Sequence, residues 1–345
     1  MKKIKFGFCI PLFANPGMLF FRTPAYKNLD YKSIREKTLL CEKLGYDSLF
    51  VADHLFLGKD GAIWECTSLM SALLAITKKM EVIPIHLCNN FRTPSVVAKT
   101  LATMSRISNG RVTLFYDYGW RKAEFEQYGI DFGATDDERI EKMAEGLEII
   151  QGMLESEKFS FSGKYYTIRD AICNPKPVKR IPVWMGEANN LLMVKYTAKF
   201  ADVFNSMPCS VENFKAKQNI LKAECERQGR DFKKMGFSFE TQILIRETQK
   251  EVDQELKKYK TFIKYNNSYD QDILAQLKAT NPSGADYNSP ESLRREFMIG
   301  APEQIKKQLD DFVKAGVGHF MLWFMDYPDD KGIKLFAKKV LNKYR

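Results

Sequence analysis

An acid and a histidine stand side by side where an apolar segment of the chain ends. Residues 47–54 read Asp-Ser-Leu-Phe-Val-Ala-Asp-His, and the middle of this segment has the composition of a buried strand. Histidine changes charge near neutral pH, and a neighbouring carboxylate can orient its ring. We therefore predict that His54 is a general acid or base and that Asp53 orients it. The alternative is a local capping or hydrogen-bonding role for the pair.

Elements of two kinds alternate along the chain and would position these residues. Strand-like apolar segments alternate with segments of helical periodicity, which is typical of parallel βαβ units. Eight such units form a barrel, in which side chains at the carboxyl ends of the strands face the active site. We predict an α/β fold, a single (β/α)8 TIM barrel over residues 1–345. The predicted strands are Ile4–Pro11, Ser48–Ala52, Glu81–Leu87, Val112–Tyr116, Val183–Gly186, Ala201–Asn205, Phe237–Arg246 and His319–Phe324.

Two segments depart from this alternation. The segment Phe159–Thr167 has the pattern of a small hairpin. The longer segment, Gln249–Gly300, follows the seventh strand and is polar, with Gly284 and Gly300 as candidate hinges. An insertion on the catalytic face of a barrel is a candidate lid, so we expect this segment to close over the site.

Composition excludes several classes of protein. The net charge is +10, but Lys and Arg alternate with Asp and Glu, which argues against a nucleic-acid-binding surface. No apolar run is long enough to cross a bilayer, and no cleavable signal is found. The seven cysteines are scattered, which indicates neither a disulfide framework nor a zinc site. We expect a cytoplasmic protein that binds neither metal, membrane nor nucleic acid.

Short motifs in a fixed order connect this chain to a known family. They lie at the ends of predicted strands and at the starts of the helices that follow. They are Ala52–Leu55, Phe91–Pro94, Ala102–Arg111, Tyr118–Trp120, Glu124–Gly129, Phe161–Tyr166, Asn174–Pro177, Ile299–Pro302 and Ala315–Phe320. In these motifs the chain resembles the bacterial luciferase-like flavin-dependent monooxygenases over nearly its whole length.

The resemblance implies reduced FMN bound across the carboxyl ends of the strands. Its ring would lie over strands three and four, near Asn89, Asn90, Phe115 and Tyr118. The two amides would hydrogen-bond the ring, and the two aromatic residues would stack on it or narrow the pocket. Turn formation by the Asn pair and core packing of the aromatic residues are the alternatives. His86, near the end of strand three, is a further candidate for the site.

The same resemblance places the cofactor phosphate at the loop after strand five. A loop of small residues before a helix offers backbone N–H groups to an anion. The expected contacts are Gly186, Glu187, Ala188 and Asn189, with Asn189 as N-cap, and Arg139 from the helix after strand four. Glu187 departs from the family pattern, because a carboxylate beside a phosphate is unfavourable unless it points away. For Arg139 the alternative is a solvated position on its helix.

Substrate contacts are expected at the mouth of the barrel. Phe21 and Arg22 follow strand one, and Trp120 follows strand four. The implied substrate is a small organic or carrier-bound molecule whose identity is not readable. No Gly-x-Gly-x-x-Gly motif is present, so a separate reductase would supply the reduced flavin. We also expect a homo-oligomer, most simply a dimer.

Two alternatives to an oxygenating enzyme stay open at this point. A branch of the same family transfers hydride with a deazaflavin coenzyme and does not use oxygen. A flavin-binding protein without turnover would keep the fold but not the chemistry. A histidine at a strand end argues against the second alternative.

Overall fold

The computed structural model describes residues 3–13, 30–57, 61–186, 190–260, 293–294 and 297–345. Twelve strands lie in this part of the chain. They are β1 (Lys5–Cys9), β2 (Ser48–Ala52), β3 (Glu81–Ile85), β4 (Leu87–Cys88), β5 (Leu114–Asp117), β6 (Phe159–Ser162), β7 (Thr167–Ala171), β8 (Val183–Gly186), β9 (Val203–Ser206), β10 (Gly236–Ile245), β11 (Met298–Gly300) and β12 (His319–Phe324).

Eight of these strands form a parallel barrel. They follow one another in the order β3, β2, β1, β12, β10, β9, β8 and β5. A parallel bridge between Val82 and Val112 brings β3 against the start of β5 and closes the ring, and β4 then pairs with β5. These are the eight strands expected from the sequence, so the predicted TIM barrel is confirmed.

Helices cover the outside of the barrel. They are α1 (Tyr31–Leu44), α2 (Cys66–Ile76), α3 (Pro94–Ser108), α4 (Lys122–Gln127), α5 (Asp136–Glu155), α6 (Leu191–Phe200), α7 (Val211–Arg227), α8 (Gln249–Lys260), α9 (Pro302–Lys314) and α10 (Lys331–Lys339). Thr135 is the N-cap of helix α5, and its hydroxyl accepts a hydrogen bond from the Glu138 N–H at 3.1 Å. Among the described residues, no helix is both long and apolar enough to span a membrane.

Alternating residues of the strands point into the barrel and fill it. Their side chains form one apolar cluster, separate from the layer between strands and helices. The cluster consists of Cys9, Phe50, Ile83, Ile85, Phe115, Trp184, Met321 and Trp323. In this fold, active sites lie above such a filled interior, at the carboxyl ends of the strands.

His319 belongs to the opposite, amino-terminal end of the barrel. Its Nε2 lies 2.7 Å from the Ser48 hydroxyl, and its ring packs edge-on against Phe50 and Trp184. Burial lowers the pKa of His319 to about 3, and the positive charge of Lys5 acts in the same direction. His319 therefore stays neutral at physiological pH and joins three strands below the site.

The predicted hairpin is present and is longer than the sequence indicates. Strand β6 pairs antiparallel with β7, which continues to Ala171 rather than ending at Thr167. The Glu145 carboxylate on α5 accepts hydrogen bonds from the N–H groups of Lys164, Tyr165 and Tyr166. The hairpin is thereby fixed to α5, and Tyr166 reaches the end of β4.

The insertion after β10 is anchored at both of its described ends. Val252 and Leu256 of α8 share an apolar cluster with Leu293 and Phe297. Strand β11 pairs with β10, with Gly300 opposite Ile245. Gly300 is thus the last residue of a paired strand, and Gly284, the other candidate hinge, lies outside the described residues.

Candidate active site

His54 lies at the mouth of the barrel, just beyond the end of β2. Its Nδ1 is 2.9 Å from Oε2 of Glu124, a residue of α4. The side chain of Glu124 is 2% exposed, and its Oε1 accepts the N–H groups of Leu55 at 2.7 Å and of Phe56 at 3.3 Å. The Trp120 ring stands edge-on to the imidazole at 5.7 Å. Among the described residues, hydrogen bonding engages Nδ1 of His54, which leaves Nε2 for a ligand.

Asp53 is hydrogen-bonded to Arg92 and Cys88 rather than to His54, the partner expected from the sequence. Its carboxylate receives two hydrogen bonds from the Arg92 guanidinium, both at 2.8 Å, and one from the Cys88 N–H at 2.8 Å. Arg92 also contacts Glu65, which caps α2. Successive residues of an extended chain point to opposite sides, so Asp53 faces the helices while His54 faces the mouth. The carboxylate that orients His54 is therefore Glu124 and not Asp53.

A second histidine and carboxylate pair lies at the ends of β3 and β5. Nδ1 of His86 is 3.1 Å from Oδ2 of Asp117, and the His86 ring centroid lies 4.2 Å from that of Phe115. Burial alone would raise the pKa of Asp117. The hydrogen bond and charge of His86, with the N–H groups of Tyr118 and Gly119, hold that pKa below its usual value instead. Asp117 is therefore an ionised carboxylate at neutral pH.

The two expected amides, Asn89 and Asn90, differ in their surroundings. Asn89 is fully buried, accepts a hydrogen bond from the Tyr116 hydroxyl at 2.8 Å, and donates to Asn90 Oδ1 and to the Tyr166 hydroxyl. Gly146 on α5 makes room for it, because a Cβ there would lie 2.3 Å from Asn89 Oδ1. Nδ2 of Asn90 is buried and has no hydrogen-bond partner among the described residues. Asn89 thus supports Asn90, which offers a donor.

The predicted phosphate loop follows β8 and is described only at its ends. A Cβ on Gly186 would lie 3.2 Å from the Phe115 ring, so the glycine allows the end of β8 to pack closely against Phe115 of β5. Glu187, Ala188 and Asn189 lie outside the described residues. The N-cap of α6 is Asn190, whose side chain accepts the Leu192 N–H at 2.7 Å. The cap was expected one residue earlier, at Asn189.

Arg139 lies on the first turn of α5. Its guanidinium is buried and donates to the Gly119 carbonyl at 3.1 Å and the Thr135 carbonyl at 3.3 Å, and it also contacts Asp136. It stacks on the Phe132 ring at 3.7 Å. These contacts join α5 to the end of β5. A role for Arg139 at a phosphate stays a prediction.

Aromatic residues surround the mouth on the β5 side. Tyr118 lies under the Arg139 guanidinium at 5.7 Å, and burial raises the pKa of its hydroxyl. Trp120 contacts His54, as described above. Phe21 and Arg22, the other expected substrate contacts, lie outside the described residues.

The residues present at the mouth fit a flavin ring. Nε2 of His86 and Nδ2 of Asn90 are buried polar atoms without partners among the described residues, at the strand ends where the ring is expected. Phe115 supplies an apolar surface beside them, and Gly186 leaves space that a side chain would fill. Within the described residues, no group of three or more His, Cys, Asp or Glu side chains could hold a metal ion.

Known proteins similar in sequence are monooxygenases. The chain is 28% identical to a pyrimidine monooxygenase, RutA, of Caulobacter vibrioides, over 97% of this chain and 96% of that protein. It is 22% identical to an FMNH2-dependent dimethylsulfone monooxygenase of Pseudomonas fluorescens, over 98% of this chain and 93% of that protein.

The fold extends to enzymes with a different coenzyme. The solved structure of an F420-dependent secondary alcohol dehydrogenase superimposes with a TM-score of 0.75 at 19% identity, covering 99% of each chain. At this identity the likeness establishes the fold and does not distinguish the chemistry.

Family assignment does not depend on any one of these proteins. The model of the luciferase-like monooxygenase family matches residues 14–319, which include β2, His54, Glu124 and the start of β12. The match covers most of the chain and agrees with the barrel fold. The chain belongs to the luciferase-like monooxygenase family.

Proposed function

We propose that this protein is a monooxygenase that uses reduced FMN and O2 to oxygenate a small organic molecule. The observation that carries the proposal is His54, held by the buried carboxylate of Glu124 at the carboxyl end of a strand in a luciferase-like barrel. A storage protein has no need for an oriented acid or base at this position. The sequence relatives named above, which are monooxygenases, support the same function.

The residues of the chain would move a proton and exclude water. Reduced flavin supplies two electrons, so that one atom of O2 enters the substrate and the other leaves as water. His54 can give or take a proton at Nε2, because its Nδ1 is hydrogen-bonded to Glu124. The apolar interior below the mouth would help to keep water from the reacting atoms.

The cofactor contacts that we propose are divided between two sides of the mouth. Asn90, Phe115 and Tyr118 would contact the ring, with Asn89 supporting Asn90 from behind. Gly186, Glu187, Ala188 and Asn189 would hold the phosphate through their backbone N–H groups. Arg139 would add a positive charge near this loop. Phe21, Arg22 and Trp120 would contact the substrate.

Hydride transfer with a deazaflavin is the second candidate function, and a solved F420-dependent enzyme with the same fold favours it. The sequence relatives favour reduced FMN instead. Anaerobic titration of the protein with reduced FMN and, separately, with reduced deazaflavin coenzyme compares the two directly. We expect dissociation constants for reduced FMN in the micromolar range or tighter and much weaker binding of the deazaflavin. The opposite order of affinities would contradict the proposal.

Partners and location are part of the proposal. We propose that a separate reductase supplies the reduced flavin, since the sequence has no dinucleotide-binding motif. We further propose a homodimer in the cytoplasm. Sedimentation analysis of the purified protein would measure the oligomeric state, and a monomer at micromolar concentration would contradict that part.

A further inference from the structure

A cavity of about 160 Å³ lies on the outer side of β10, apart from the mouth of the barrel. It is bounded by the start of α7, by α9 and by the start of β11. Phe239 and Thr241 of β10 line it, and Phe312 of α9 stacks on Phe239 with ring centroids 4.0 Å apart. The function proposed above does not use this cavity.

Strand alternation separates the cavity from the active site. Phe239 pairs with Phe320 and belongs to the apolar layer between strands and helices. Glu240, between Phe239 and Thr241, points the other way and accepts the indole N–H of Trp323, a residue of the barrel interior, at 2.9 Å. Strand β10 therefore stands between a molecule in the cavity and the interior of the barrel.

Three side chains offer hydrogen-bond acceptors to the cavity. Oε1 of Gln308, on α9, is buried and has no hydrogen-bond partner within the described part of the chain. The Thr241 hydroxyl donates to the Gln242 carbonyl at 3.1 Å, so its oxygen remains as an acceptor. Asp311 adds a half-exposed carboxylate, whose charge is balanced by Lys314 at 3.5 Å. A ligand that satisfies the buried acceptor must bring an N–H or O–H group and needs no positive charge.

Aromatic rings form much of the remaining surface of the cavity. Phe239, Phe297 and Phe312 line it together with Met298. Aromatic rings pack favourably edge to face, and a methionine sulfur also packs against a ring. An apolar cavity of about 150 Å³ holds one benzene molecule, so there is room here for a single six-membered ring with a small substituent. Water could satisfy Gln308 but would leave the aromatic surface hydrated.

We propose that this cavity binds a small, uncharged aromatic molecule with a hydroxyl or amino group, of the phenol or aniline class. The ring packs among Phe239, Phe297 and Phe312, and its O–H or N–H group donates to Oε1 of Gln308. The ligand also contacts the end of the insertion, because Phe297 belongs to the apolar cluster that holds α8. Since β10 separates it from the mouth, the ligand is an effector and not the oxygenated substrate.

Alkylation of Cys209 reports whether the cavity is occupied. Cys209 lines the cavity and is partly exposed, whereas the other six cysteines of the chain are buried. We expect phenol to slow the reaction of Cys209 with iodoacetamide, followed by mass spectrometry, at about tenfold lower concentration than toluene, which has the same number of non-hydrogen atoms but no O–H group. Calorimetric titrations with the same two compounds measure the affinities independently of the thiol. No binding of phenol, or equal binding of the two compounds, would overturn the inference.

Substitutions of Gln308 identify the contact. Gln308→Met keeps the size of the side chain but removes the acceptor, so most of the preference for phenol over toluene should be lost. Gln308→Glu keeps an acceptor and, when ionised, cannot donate, so it should retain the preference. Lys307→Met, at the exposed neighbouring position of the same helix, is the matched control and should change neither affinity. Full preference in Gln308→Met, or its loss in Gln308→Glu, would contradict the assignment.

Discussion

His54 is oriented by a carboxylate that lies 70 residues later in the chain. Glu124 is buried, and three of its contacts are to the segment His54–Phe56. It therefore fixes the backbone after β2 together with the imidazole. Two N–H groups hold Oε1 and thereby fix the orientation of the carboxylate. Its Oε2 is then directed at Nδ1 of His54. This arrangement makes the histidine and the carboxylate a single functional unit.

Removing the imidazole should lower turnover without removing the cofactor. We expect His54→Ala to reduce kcat by about 10²–10⁴-fold, the range for a lost general acid or base, while reduced FMN binds as before. Steady-state kinetics and anaerobic flavin titration measure the two effects. Activity within a few-fold of the unaltered protein would remove His54 from the mechanism.

Glu124→Gln should act through His54. Gln keeps an oxygen for the Leu55 N–H but presents an NH2 group to Nδ1, which favours the wrong tautomer of the imidazole. We expect kcat to fall by at least about tenfold, with a smaller change in KM. Glu126→Gln changes an exposed carboxylate of the same helix and should leave both constants unaltered. Equal effects of the two substitutions would contradict the pairing.

Asp53 and Arg92 should contribute to stability. The Asp53 side chain is 1% exposed and depends on Arg92 for its charge compensation. Arg92→Leu leaves that charge buried without its partner, and we expect it to lower the free energy of unfolding by about 3–5 kcal/mol. The double variant Asp53→Asn with Arg92→Leu should recover part of this loss in urea denaturation. No recovery would show that Asp53 is not the reason for the destabilisation.

At the scale of elements, sequence periodicity was sufficient to predict the strands of the barrel. It was insufficient to predict the side-chain contacts between separate elements. Each strand end was predicted within a few residues, because buried parallel strands form continuous apolar runs. The partner of His54 was missed because Glu124 lies on a separate helix, and nothing in the spacing from residue 54 to residue 124 indicates contact. Only strand alternation could have suggested that Asp53 and His54 face opposite sides. The pairing of His86 with Asp117 likewise required the register of β4 against β5.

The insertion after β10 should close over the site between its fixed ends. Helix α8 and strand β11 are packed in one apolar cluster, so we expect protease resistance there in all states. We expect cleavage within residues 281–288 to be fast in the free protein and slower with flavin and substrate bound. Limited proteolysis followed by mass spectrometry locates the sites. Equal rates in both states would mean that no closure occurs.

At the scale of the whole molecule, one buried histidine connects the stability of the barrel to pH. In the folded protein the pKa of His319 is about 3, below the ordinary 6.5 that the unfolded chain has. The unfolded state therefore binds the proton first, and the contribution of neutral His319 is complete above pH 6.5 and is lost as the pH falls toward 3. The expected slope from this group is about 1.4 kcal/mol per pH unit.

Comparison with a variant isolates that contribution from those of the carboxylates. His319→Gln keeps an acceptor for the Ser48 hydroxyl but does not titrate, so the stability of the variant should fall less steeply below pH 6.5. Urea denaturation between pH 4 and 7, with the difference taken between the two proteins, measures the slope. Parallel curves would show that His319 is not the group that responds.

Reaction of the bound, reduced flavin with oxygen tests the central claim most directly. Protein loaded anaerobically with reduced FMN is mixed with O2 in a stopped-flow spectrometer, and the flavin spectrum and the release of hydrogen peroxide are followed. The account predicts a transient spectrum, distinct from those of reduced and oxidised FMN, that lasts longer than in the same mixture without protein. Immediate conversion to oxidised FMN with stoichiometric peroxide, as with free flavin, would contradict it.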